Sequence, residues 1–151
     1  MILFAAMAIL SFSSCSKDSD TVYTNFKITS VKVTQIPFVN VNSVGWDSVD
    51  GPEVYFNIED GSFNVLRDGS YSYYSNVTAN SFPLTWSLSS AYQITNLSYT
   101  NYITIYDYDT LDADDMIGYV ALKMDDHKSG YPTTITKTSG DITVIITGVW
   151  Y

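Results

Sequence analysis

The chain has 151 residues, 46% hydrophobic and 15% aromatic, which suffices for one domain with an ordinary core. Its formal charge of −9, from 7 Lys and Arg against 16 Asp and Glu, excludes a nucleic-acid partner, because too few cations are present to neutralise phosphates. With Cys15 the only cysteine and His127 the only histidine, an internal disulfide and a Cys/His zinc site are excluded as well.

Residues 1–10 form an apolar run too short to span a bilayer as a stable helix. Ser11-Phe12-Ser13-Ser14-Cys15 follows, in the layout of a signal peptide's core and cleavage site. The leader resembles that of a bacterial lipoprotein. This implies a signal peptide over 1–14, a lipidated Cys15 at the mature N-terminus, and a flexible tether over 15–24. Ser16-Lys17-Asp18-Ser19-Asp20 is similar to the signal that Bacteroidetes use to send lipoproteins to the outer surface. The expected location is the cell envelope, at the outer membrane or cell surface, anchored to the membrane through Cys15.

No stretch after residue 20 shows helical periodicity, and abundant Tyr, Thr, Val and Ile favour strands. The first strand is predicted over 25–35. Its apolar parity changes between Ile28 and Val31, which predicts a bulge near Thr29 and Ser30. Residues 36–52 read as a long loop, and 53–58 as a strand with Val54, Phe56 and Ile58 on one face. Asp60-Gly61 is a hairpin turn, 62–67 the returning strand, and Asp68-Gly69 a second turn signal. Residues 70–81, rich in Ser, Tyr and Asn, fit either a ragged strand or an exposed loop. Leu84, Trp86 and Leu88 alternate along a strand over 83–88. Residues 89–100 connect, with a short strand at 92–95. Strands follow over 102–106 and 117–124. A polar turn with an exposed His127 covers 125–131, and strands over 132–137 and 141–150 close the chain. About eight short strands predict an all-β, antiparallel eight-stranded β-sandwich over 25–151.

Between the strands over 102–106 and 117–124 lie five aspartates within nine positions: Asp107, Asp109, Asp112, Asp114 and Asp115. Such crowding is tolerated when the loop is hydrated or when a cation neutralises it. A hard cation such as Ca²⁺ wants six to eight oxygens. An EF-hand fails, because Asp112 stands where its Gly belongs and Gly118 where its closing Glu belongs.

Ile105-Tyr106-Asp107-Tyr108-Asp109, with Asp115-Met116-Ile117-Gly118, resembles the third calcium loop of C2 domains, the sandwich of protein kinase C and synaptotagmin. Asp47 and, six residues later, Glu53-Val54-Tyr55 resemble the family's first calcium loop. The match departs in that Pro52 precedes the acid and Glu replaces Asp. The resemblance implies a C2-like Greek key. It also implies a Ca²⁺ site built by Asp47, Glu53, Asp107, Asp109 and Asp115, with Asp50, Asp112 and Asp114 as candidate outer ligands.

Ile36 to Trp46 is unusually apolar. Phe38 and Trp46 either pack over the sandwich end or contact a membrane or partner. Tyr71, Tyr73 and Tyr74 alternate with serines as a candidate sugar platform. No nucleophile motif or phosphate loop is present, so an enzyme is not expected. The reading is a non-enzymatic calcium-binding module of a cell-surface lipoprotein, recognising a protein, glycan or surface. A polysaccharide-binding module and a metal-free structural subunit are the alternatives.

Overall fold

The computed structural model describes residues 21–47 and 50–151, so the leader and Cys15 lie outside the described residues. Eight strands form two antiparallel four-stranded sheets packed face to face. They are β1 Phe26–Gln35, β2 Val54–Glu59, β3 Val65–Arg67, β4 Leu84–Ile94, β5 Thr100–Asp107, β6 Asp115–Lys123, β7 Thr134–Ser139 and β8 Ile142–Trp150. One sheet runs β4-β1-β8-β7 and the other β3-β2-β5-β6. No helix among the described residues is long and apolar enough to cross a membrane.

The core lies between the sheets. Phe26, Ile28, Val31 and Val33 of β1 are all fully buried, and both partner ladders shift register between Ile28 and Ser30. The bulge expected there absorbs the parity change, so both halves of the strand face inward. On β8, Ile142, Val144, Ile146 and Trp150 share the inward face. Gly148 completes that face because a Cβ there would collide with both the Phe26 ring and the Lys27 carbonyl.

Four features depart from the expected pattern. The returning strand after Asp60-Gly61 shortens to β3, because the Asp60 carboxylate accepts from the Ser62 and Asn64 backbones and holds the intervening chain as a turn. β4 continues unbroken from Leu84 to Ile94 and absorbs the separate short strand. His127 is half-buried on a 3₁₀ turn rather than exposed; its Nε2 lacks a partner, and burial first, then the Lys137 charge, lowers its pKa. Every residue of β2 is buried, the outward Tyr55, Asn57 and Glu59 included. The wholly buried Glu59 accepts hydrogen bonds from the Thr104 and Tyr106 hydroxyls, so its burial leaves neither oxygen bare.

The topology decides where the acidic loops meet. In the β2–β5 ladder Val54 opposes Asp107, and in the β5–β6 ladder Asp107 opposes Asp115. The chain entering β2 and the β5–β6 loop therefore share one end of the sandwich. Residues 70–81 strap across the same end. The Val54 and Tyr74 backbones exchange hydrogen bonds of 2.8 and 2.9 Å, and the Val77 amide donates to the Pro52 carbonyl. The strap also protects β4, a sheet edge: Tyr74 Oη donates to the Thr85 carbonyl and accepts from its amide.

Candidate metal centre

Asp107 ends β5 and is 1% exposed. Its Oδ1 accepts from the Glu53 amide at 2.7 Å, and the Tyr108 amide donates back to the Glu53 carbonyl at 2.9 Å. One bond is backbone to backbone and the other runs to the Asp107 side chain, and together they clamp the two loops. Glu53 is also held from the third side, since its Oε1 accepts from the Asn76 amide of the strap.

One carboxylate oxygen from each of Asp47, Glu53 and Asp107 lies within 4.8 Å of the others. Asp47 Oδ2 and Asp107 Oδ2 are buried without a hydrogen-bond partner among the described residues. Bare buried carboxylate oxygens are costly, and the electrostatics register it. Burial, followed by repulsion from Asp47, Asp109 and Glu53, pushes the Asp107 pKa up to about 7 against the pull of the Glu53 amide. Burial also raises the Glu53 pKa, opposed by the Asn76 amide and assisted by Asp47, Asp50 and Asp109. The Asp109 pKa rises by burial and then by repulsion from Asp115, Asp47, Asp114 and Asp112. No basic side chain figures among the causes of these three shifts. An all-oxygen, hard, anionic donor set with two bare buried oxygens fits a divalent cation of the Ca²⁺ type.

The other expected site residues divide. Asp109 stands half-buried in the wall of the same cleft, which holds ≈ 210 Å³ and is lined by Asp47, Glu53, Tyr73, Ser75, Tyr108, Asp109 and Thr110. Asp115 is exposed at the start of β6 and lines a different hollow of ≈ 490 Å³ with Pro37, Val39, Trp46 and Met116. Asp50 and Asp112 are exposed. Asp114 turns back into its own loop, where Oδ1 accepts from the Asp109 amide at 3.0 Å and Oδ2 from Tyr55 Oη at 2.6 Å. Gly118, which closes the loop motif, has φ +150°, and a Cβ there would meet the Ile142 side chain at 2.5 Å. Trp46 packs against the core and donates to the Pro37 carbonyl, while Phe38 stands edge-on to Phe82. The fully projecting apolar side chains at this end are Val41 and Leu111, 100% and 93% exposed.

Sequence reasoning missed Tyr55, Tyr108, Ser75 and Asn76 as parts of the site. It also grouped Tyr71, Tyr73 and Tyr74, which the structure separates. Tyr73 stacks on Tyr108 at 4.9 Å inside the cleft, Tyr74 is committed to β4, and Tyr71 stands 95% exposed. The one available signal was Tyr108, lying between two aspartates on the chain leaving β5.

No protein-family model matches the chain, and no curated protein sequence does either. Solved structures do match. One described as the structure of a C2 domain aligns with a TM-score of 0.54 at 14% identity, covering 83% of this chain and 96% of that one. The paired C2 domains of extended synaptotagmin 2 align with a TM-score of 0.54 at 11% identity, over 99% of this chain and 46% of that one. Human GIVD cytosolic phospholipase A2, in complex with methyl gamma-linolenyl fluorophosphonate inhibitor and terbium chloride, aligns with a TM-score of 0.53 at 13% identity. That match covers 85% of this chain and 18% of the phospholipase. The fold is a C2-like β-sandwich. At these identities the likeness carries the architecture and leaves the chemistry to the residues themselves.

Proposed function

We propose that this protein is a non-enzymatic calcium-binding module, with the ion held where the chain entering β2 meets the β5–β6 loop. The observation that carries this reading is the convergence of Asp47, Glu53 and Asp107 within 4.8 Å, two of them with bare buried oxygens. Asp109 is the next ligand in the cleft wall, whereas Asp115, exposed in the neighbouring hollow, acts on the site through its charge beside Asp109. Asp50 and Asp112 serve as outer ligands, and Asp114 orients the loop through Tyr55 and the Asp109 amide. The C2 likeness supports the same reading, as does terbium chloride in the complex of the phospholipase that shares the fold. Calcium bound here would cancel the repulsion among these carboxylates.

In this reading the domain is displayed at the cell envelope through a lipid on Cys15, with the calcium end free to meet a surface, flanked by Val41 and Leu111. Isothermal titration with millimolar calcium, together with melting in calcium and in chelator, tests the metal. Heat of binding and a calcium-dependent rise in Tm are expected; absence of both overturns the reading. Intact-mass analysis of protein from a native-like host tests the anchor. An acylated N-terminal Cys15 is expected, and an unmodified residue there removes the lipid from the proposal.

A further inference from the structure

The cleft beside the carboxylates contains more than a metal site needs. Three carboxylate oxygens from Asp47, Glu53 and Asp107 fall short of the six to eight that Ca²⁺ takes. At one oxygen each, adding Asp109 would still leave an ion held here short of that number, and the cleft is where a further ligand would reach it. That cleft is walled on one side by Tyr73, which lies parallel to Tyr108 with an interplanar angle of 11°. Tyr108 is in turn braced edge-on by Tyr55, whose hydroxyl is fixed to Asp114. Tyr73 is 44% exposed and stacks one face on Tyr108. Ser75 and Thr110 complete the lining.

A rigid aromatic face beside a cation short of ligands suits a ligand with adjacent hydroxyls and an apolar C–H face. Resting on the calcium reading above, we propose that this cleft is a saccharide site. Two neighbouring sugar hydroxyls add to the ion's ligands, and the sugar's C–H face packs on Tyr73. The charge pattern favours a neutral sugar over a phosphate or carboxylate ligand. None of the seven residues lining the cleft is basic, so an anion would face Asp47, Glu53 and Asp109 with the metal as its only attraction.

Affinity electrophoresis of the full domain through gels containing yeast mannan, barley β-glucan, galactan or xylan, with calcium or with EDTA, tests the proposal. At least one polymer should retard the protein in calcium and not in EDTA. Tyr73→Ala should weaken that retardation tenfold or more while leaving the calcium-induced rise in Tm intact. Tyr71→Ala, outside the cleft, should change neither. Calcium-dependent melting without retardation by any of the four polymers would overturn the saccharide site and leave the calcium reading standing. Loss of the calcium response in the parent protein would overturn both. Retardation that survives EDTA, or that Tyr73→Ala does not weaken, overturns the proposal. So does calcium-dependent sedimentation with phosphatidylserine–phosphatidylcholine vesicles in place of glycan binding.

Discussion

Glu59 and Asp107 stand at opposite ends of the β2–β5 ladder, 0% and 1% exposed, and the protein treats them differently. Both Glu59 oxygens accept hydroxyl hydrogen bonds, from Thr104 and Tyr106. Asp107 has one oxygen on the Glu53 amide and the other bare, with Asp47 and Glu53 converging beside it. Equal burial therefore does not mean equal purpose. A buried carboxylate whose acceptors are filled belongs to the scaffold, whereas one left short among like charges is a candidate for function.

The contrast is broken most strongly at Glu59. Glu59→Ala should cost about 2–4 kcal/mol in a denaturant titration, since it strands two hydroxyls and leaves a void. The calcium-induced rise in Tm should survive in that variant. Asp107→Asn should act in the reverse sense. Calcium at ~100 times its dissociation constant should add roughly 2.7 kcal/mol to the parent, and this variant should lose that gain. Its metal-free form should melt above the metal-free parent at pH 8, because Asn keeps the acceptor for the Glu53 amide without the charge.

The pH profile sharpens the same contrast. The Asp107 pKa is raised from an ordinary 3.8 to about 7 in the fold. The folded state therefore holds a proton that the unfolded chain has lost between those values. Its contribution to stability is fully present below about pH 4 and is lost as pH rises through about 7. Glu53 and Asp109 are shifted in the same direction. Melting in chelator should show Tm falling across this window. Calcium should flatten the fall, and Asp107→Asn should remove much of it. The smallest effect belongs to Tyr55→Phe, which deletes the hydroxyl bonded to Asp114. It should cost about 0.5–1.5 kcal/mol and weaken calcium affinity modestly in the titration, by loosening the loop that carries Asp109.

Much of this was readable along the chain. The parity break in β1, the Asp60-Gly61 turn and the inward face of β8 are local patterns, and each stands where the alternation of apolar residues puts it. The two acidic stretches were visible as well, because charge density is a property of composition. Their meeting was inferred from resemblance alone. The reading went astray where a residue's environment comes from distant chain. Glu59 has the sequence context of an exposed strand end, and its burial depends on Thr104 and Tyr106, more than forty residues away. Asp114 read as a candidate outer ligand, yet the Tyr55 hydroxyl from another strand takes one of its oxygens.

The sequence by itself determined an antiparallel β-sandwich and an acidic pole, since strand periodicity and charge are written locally. Only the tertiary structure decided which acids converge and what stands beside them. The register that sets Val54 against Asp107 brings Glu53 to Asp107, and the strap over 70–81 carries Asn76 and Tyr73 to the same cleft. That selection rests on ladder pairing and burial, which no window of neighbouring residues encodes.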